Sequence, residues 1–132
     1  QKNVFTPFER VILRELETQF SPSNADVLRS QISEINKVHR LILDTEILLF
    51  KLYLWGRSDL SREKLFSTKM LEFEIPAQII IDGTQIPLTI GFVEDHIFSF
   101  EFDPDSDPEF DSPNIKQYRK RTDLTVELLE PF

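Results

Sequence analysis

The densest set of chemically capable side chains is DPDSDPEFD, residues 103–111, where Asp103, Asp105 and Asp107 alternate and Glu109 and Asp111 follow. Hard divalent cations take oxygen ligands at such alternating positions of a calcium loop. An EF-hand would also need Gly at the sixth position from Asp103 and a bidentate Glu at the twelfth. Pro108 and Asn114 stand there, and the flanks read as strand and loop rather than as helices. The segment is therefore read as a solvated or protein-binding loop, with an irregular cation site as the alternative.

Nucleophilic and metal chemistry have little to work with. The chain has no Cys, and its two histidines, His39 and His96, form no HxxxH or HExxH spacing. His96 follows Glu94-Asp95 in an apparent turn, so a general base oriented by Asp95 is conceivable, although turn histidines beside acids are ordinarily just solvated. His39 falls near the end of the second helix predicted below, where an imidazolium would suit the helix dipole. With three glycines in all, neither a phosphate-cradling loop nor a nucleotide fingerprint is present, and there is no G-x-S-x-G elbow. No catalytic residue, metal ligand or cofactor is assigned, and the expectation is a protein that is not an enzyme.

Charge gives a stronger signal. From Met70 to Ile115 there are eleven Asp and Glu and not one Lys or Arg, giving this stretch a formal −11 within a chain of net charge −8. Clustered like charges repel and persist where water, a cation or a basic partner screens them. The same balance argues against nucleic acid, whose phosphates need Lys and Arg. The chain is 40% hydrophobic and has twelve Phe, so the acids are carried on a folded body rather than on a disordered tail. At 132 residues a single domain is expected. The absence of cysteine fits a reducing compartment, making cytoplasmic residence the default. The apolar run at 47–55 is too short to span a bilayer. QKNVFTPFER has no apolar signal core and starts on Gln, which is read as a trimmed or incomplete start.

The elements that must position these groups follow from periodicity. Thr6, Pro7 and Glu9 make a capping-box start, and Phe8, Val11, Ile12, Leu16 and Phe20 recur at helical spacing, predicting a helix over about 6–20. SPSN supplies a second cap, and Leu28, Ile32, Ile35 and Val38 or His39 predict a second helix over about 24–38. The sheet is expected over about 41–102. Residues 41–55 are read as strand against a competing helical reading, because Asp44-Thr45 is a poor helix interior. Leu71, Phe73 and Ile75 alternate with Glu72 and Glu74, and Asp82-Gly83 is a strong hairpin pair. Ile86, Leu88, Ile90 and Phe92 then alternate with smaller or polar residues, and Phe98, Phe100 and Phe102 line one face after a turn at Glu94-Asp95.

The predicted fold class is α+β, with two N-terminal helices packed on an antiparallel β-meander of four or five strands. An acidic loop over 103–114 and a tail over 115–132 complete it, with the basic residues of 116–121 expected to pair with that loop. If Leu71, Phe73 and the three Phe of the last strand face the helices, then Glu72, Glu74 and Glu101 emerge on the opposite face. If Leu48, Phe50, Leu52 and Leu54 join the core, then Lys51, Tyr53 and Trp55 share that outer face, where aromatic residues beside charges suit an interface. An antiparallel sheet with one wet face is the plainer alternative.

On FERVILREL, HRLILDTEILLF and IPLTIGFVEDHIFSFEFDPDSDP, spanning residues 5 to about 110, the order of parts resembles that of small uncharacterised bacterial proteins with two helices followed by a β-meander. In size, acidity and lack of catalytic motifs the chain is also similar to immunity proteins, which sit in the bacterial cytoplasm and block a toxin, often a basic nuclease. That resemblance implies an inhibitor of a basic toxin and transfers no site residue. The expected partner-binding residues are thus Glu72, Glu74, Glu101, Asp103, Asp105, Asp107, Glu109, Asp111, Tyr53 and Trp55, facing a protein with a basic surface and neither nucleic acid nor membrane. A small-molecule or divalent-cation-binding domain, with a Phe-lined pocket between sheet and helices or a carboxylate site in the 103–111 loop, is the alternative from another class.

Overall fold

The structure, a computed structural model, describes residues 4–51, 64–102 and 113–132. Tyr53, Trp55, Asp103, Asp105, Asp107, Glu109 and Asp111 lie outside the described residues, as do Leu52 and Leu54.

The first helix, α1 (Pro7–Gln19), starts on the capping box its sequence announces. Thr6 Oγ1 accepts from Glu9 N at 3.2 Å, and Thr6 N donates to Glu9 Oε1 at 2.9 Å. Glu9 is only 1% exposed, and burying a carboxylate is costly unless it is paired and hydrogen-bonded. Arg40 supplies the pair in bidentate fashion, Nε to Oε2 and Nη2 to Oε1, both at 2.7 Å. One carboxylate therefore caps α1 and clamps its start to the first strand.

The second helix, α2 (Pro22–Glu34), is capped by Ser21 with Pro22 in its first turn. It ends four residues before the expected limit. Ile35 is already extended, Asn36 N donates to Phe50 O at 3.0 Å, and β1 (Lys37–Leu41) pairs antiparallel with β2 (Glu46–Phe50) from Lys37↔Phe50 to Leu41↔Glu46. The helical spacing of Ile35 and Val38 loses to a cross-strand partner, which satisfies backbone groups that a frayed helix end would leave open. His39 accordingly lies on a strand, not at a helix terminus.

The meander follows in β3 (Glu72–Ile81), β4 (Thr84–Val93) and β5 (His96–Phe102). Both of its turns occupy two residues at positive φ: Asp82 at 53° and Gly83 at 75°, then Glu94 at 49° and Asp95 at 63°. That backbone matches the right-handed twist of hairpin arms. The tail adds a short 3-10 helix (Ile115–Tyr118) and β6 (Thr125–Leu128), which pairs with β3. Among the described residues the sheet thus has six strands in the order β1-β2-β5-β4-β3-β6, all pairs antiparallel, beside two N-terminal helices: the α+β class as read, with more strands than four or five. The extra strands come from splitting 37–50 into a hairpin and from the tail.

One sheet face packs under the helices. Ile47, Ile75, Ile79, Ile90 and Phe100 share a core with Phe8, Ile12, Leu16 and Leu28. The expected inward set needs three corrections. Ile47 and Leu49 are the buried residues of β2, so Leu48 and Phe50 face outward. Leu71 is 71% exposed, one residue before β3 begins. Phe98 is the extra residue of a β-bulge: Gly91 pairs with Ser99 but Phe92 pairs with Ile97. A bulge breaks strict alternation, so Ile97 and Phe100 both turn inward while Phe98 joins the outer face against Phe50, with centroids 5.6 Å apart.

Phe66, ahead of β3 and outside any element read from the sequence, is 1% exposed. It packs with Phe20, Phe92 and Phe132 at centroid distances of 6.3, 5.1 and 5.4 Å. The basic cluster also has definite partners. Arg119 grips buried Asp44 through Nε and Nη2 at 2.6 and 2.8 Å, and Arg121 bridges Asp82 and Asp123, holding both carboxyls below their ordinary range. Asp82, one of the eleven acids, is thus neutralised from the tail.

Two glutamines serve in place of strands. Gln19 donates to Val126 O at 2.6 Å and accepts from Leu128 N at 2.8 Å, plugging the free edge of β6. Gln31, 5% exposed, donates to Lys64 O and Asp95 O at 2.8 and 3.0 Å and accepts from Ile97 N at 2.8 Å. Gln31→Ala leaves the buried Ile97 N without a partner and takes one of two donors from Asp95 O, which keeps Phe66 N, at an expected cost of about 1–3 kcal/mol. Urea unfolding measures it, and a loss below about 0.5 kcal/mol would show that the start of β5 does not rely on Gln31.

Candidate functional site

Directly opposed residues in an antiparallel sheet share a face, so the pairing registers place the outer side chains without further assumption. One row runs Leu41, Glu46, Glu101, Thr89, Pro76, and the next runs His39, Leu48, Ser99, Gly91, Glu74. Glu72 lies opposite Val93 one step further along. The result is a hollow of about 550 Å³ on the outer face, bounded by Glu46, Glu72, Glu74 and Glu101 and lined by apolar Leu48, Val93, Phe98 and Met70.

Its floor is low because of one glycine. A Cβ at Gly91 would meet Ser99 Oγ at 2.4 Å, so the position admits no side chain while Ser99 keeps its place, and Ser99 is 6% exposed. The aromatic chain His39, Phe50, Phe98 borders the hollow on the β1 side through edge-on contacts of 5.1 and 5.6 Å. This face is therefore partly apolar rather than the polar, solvated surface usual for the open side of an antiparallel sheet.

Electrostatically the site is unbalanced. Glu46 and Glu101 are directly opposed on neighbouring strands. Burial, then the charges of Glu46 and Glu74, push the Glu101 carboxyl above its ordinary value. Among the described residues no Lys or Arg pairs with Glu46, Glu72, Glu74 or Glu101. A face with this potential and an apolar lining can receive a cation attached to a hydrocarbon stem, which is the chemistry of lysine and arginine side chains and of organic amines.

The structure thus brings Glu72, Glu74 and Glu101 around one hollow. The other seven expected binding residues fall outside the described residues. Glu46, Leu48 and Phe98 were missed: the first two because the β2 register is not visible in a run of apolar residues, and Phe98 because a bulge has no sequence signal here. The hollow lies on the open face, not between sheet and helices as the small-molecule alternative supposes. Among the described residues no group of three or more His, Cys, Asp or Glu is placed to hold a metal ion. At the His96 turn, the Asp95 carboxylate accepts from Thr68 N at 3.0 Å and from Thr68 Oγ1, while His96 Nδ1 lies 3.0 Å from Glu94 O. Asp95 is thus committed to holding the 64–71 segment. Among the described residues no helix is long and apolar enough to cross a membrane. No protein-family model, curated protein or solved structure matches the chain.

The raised Glu101 carboxyl carries a sign. The folded state binds more protons than the unfolded chain from the ordinary value of 4.5 up through its own raised range, so stability falls as pH rises through that window. Glu101→Gln is expected to stabilise the fold by about 0.5–1 kcal/mol at neutral pH, the range of one cross-strand charge pair in solvent. That gain should shrink to near zero below the ordinary carboxylate range. Thermal melts of both proteins across pH read the effect, and an equal gain at every pH would assign it to packing instead.

Proposed function

We infer that the protein is a non-enzymatic binding protein whose outer sheet face receives a basic protein surface, most concretely as an immunity-type inhibitor of a basic bacterial toxin. The observation that carries this reading is the facing pair Glu46 and Glu101, kept together with Glu74 beside an apolar hollow although the arrangement opposes folding. Carboxylates held against their own repulsion gain most from a partner that supplies the missing cations. Such complementarity speeds association and selects the partner. The acidic 103–111 segment extends the same polarity of charge along the chain.

The test is a salt and charge titration on one complex. The immobilised protein should retain a basic protein from bacterial lysate at about 50 mM salt and release it towards about 500 mM, where screening shortens the range of surface charge. Glu46→Gln/Glu101→Gln should release it even at low salt. A complex indifferent to salt, or kept by the double variant, contradicts the reading.

The hollow's volume favours a second reading, because about 550 Å³ lies within the roughly 300–1,000 Å³ range of small-molecule sites. An organic polyamine would then be the ligand. Adding spermidine should raise the melting temperature of the wild type and not of Glu46→Gln/Glu101→Gln, since a ligand selective for the native state must stabilise it. Calcium, magnesium and manganese in parallel report on the divalent-cation alternative.

A further inference from the structure

The loop joining β1 to β2 is built against its own sequence. Ile42, Leu43 and Asp44 follow one another at φ 49°, 54° and 63°, a left-handed run that L-residues avoid and that is most unfavourable for a β-branched side chain. Neither Gly nor Asn relieves it. Strained backbone persists where its surroundings over-determine it, and it clusters at functional positions. The surroundings here are specific. Asp44 is 4% exposed in the grip of Arg119, Leu43 O accepts from Lys116 N at 2.9 Å, and Thr45 O accepts from Phe102 N at 2.8 Å.

This rigid base presents apolar side chains to solvent. Leu41, Ile42 and Leu43 are 43, 64 and 48% exposed, three large hydrophobic residues in succession at a hairpin tip. A strained tip offers the fold no apolar burial in return, whereas a pre-organised apolar knob loses little freedom on binding. The tip is also continuous with the hollow, because Leu41, Glu46 and Glu101 stand in one cross-strand row on the outer face.

We propose that the Leu41–Leu43 tip is the hydrophobic anchor of the interface, inserting into an apolar recess of the same basic protein that covers the acidic hollow. This rests on the proposed function and deepens it. Two features select that occupant. An anionic bilayer is disfavoured by the carboxylates of Glu46 and Glu101 in the same row and by the net charge of −8. A second copy would bring a second acidic face against the first. The division of labour is then ordinary for interfaces: charges guide the approach, and desolvated apolar anchors hold the complex.

The experiment places a photo-crosslinker, p-benzoylphenylalanine, at position 116 beside the tip and, separately, at position 89 opposite Glu101. Both are expected to capture the same basic polypeptide from bacterial lysate. With that polypeptide purified, Ile42→Gly/Leu43→Ser should weaken binding about ten-fold or more at high salt, where Glu101→Gln has little effect. The same double variant should melt no lower than the wild type, since glycine accepts positive φ and both side chains are exposed, so a lost complex would not reflect a lost fold. Capture from position 89 alone, or unchanged binding by the tip variant, overturns the anchor and leaves the acidic face standing. Capture of lipid or of a second copy from position 116 overturns it by assigning another occupant. Capture of no basic protein from either position overturns both.

Discussion

One inserted residue in β5 governs the shape of both sheet faces. Phe98 has no partner of its own between the pairs Gly91↔Ser99 and Phe92↔Ile97. Without that insertion, alternation would continue from Phe102 and Phe100 to Phe98, and the third Phe would occupy the core. With it, Ile97 fills the inward position and Phe98 turns to the open side, giving the hollow its aromatic border. A bulge also bends its strand and increases local twist, which suits a concave face. The cost is a disturbed ladder at the start of β5, and Gln31 offsets it by accepting from Ile97 N and donating to the turn carbonyl of Asp95. Core, hollow and helix docking therefore meet at one irregularity.

The fold's treatment of buried charge separates structural acids from the rest. Buried Glu9 and Asp44 each meet an arginine through two nitrogens, the geometry that best returns the cost of desolvation, and exposed Asp82 is bridged by Arg121 in the same way. Two of these pairs tie distant parts together, α1 to β1 and the β1–β2 loop to the segment after the 3-10 helix. The chain thus has the means to neutralise an acid wherever architecture demands it. Glu46 and Glu101 receive no such partner among the described residues, although they sit face to face.

What could be read from the sequence was whatever rests on local chemistry. The capping box at Thr6 and Glu9, the Ser21 cap and the turn pairs Asp82-Gly83 and Glu94-Asp95 all act within four residues, and alternation through β3 and β4 shows which acids share a face. What could not be read depends on distant partners. The end of α2 was set by β2 competing for residues 37–41, and β6 is only four residues long in a tail with no turn signal. The β1–β2 turn was invisible for a sharper reason: Ile42 and Leu43 are among the residues least suited to positive φ, so no propensity rule would place a turn there. Half of the hollow was missed with it, since the position of Glu46 opposite Glu101 depends on that turn's length.

The two features least explained by folding lie side by side, and their physics is complementary. Repulsion between Glu46 and Glu101 is long-ranged and weakened by salt, so a cationic partner would relieve it early in an encounter. The apolar tip acts only on contact, through surface removed from water, and is little affected by ionic strength. A face with charges alone would recruit many basic proteins without holding any for long, and a tip alone would favour self-association. Joined through Leu41 in one cross-strand row, the pair would demand of any occupant both a basic surface and a recess at a fixed spacing from it. That joint demand narrows the field far more than an acidic net charge does, because specificity is a difference between affinities rather than the strength of any one contact.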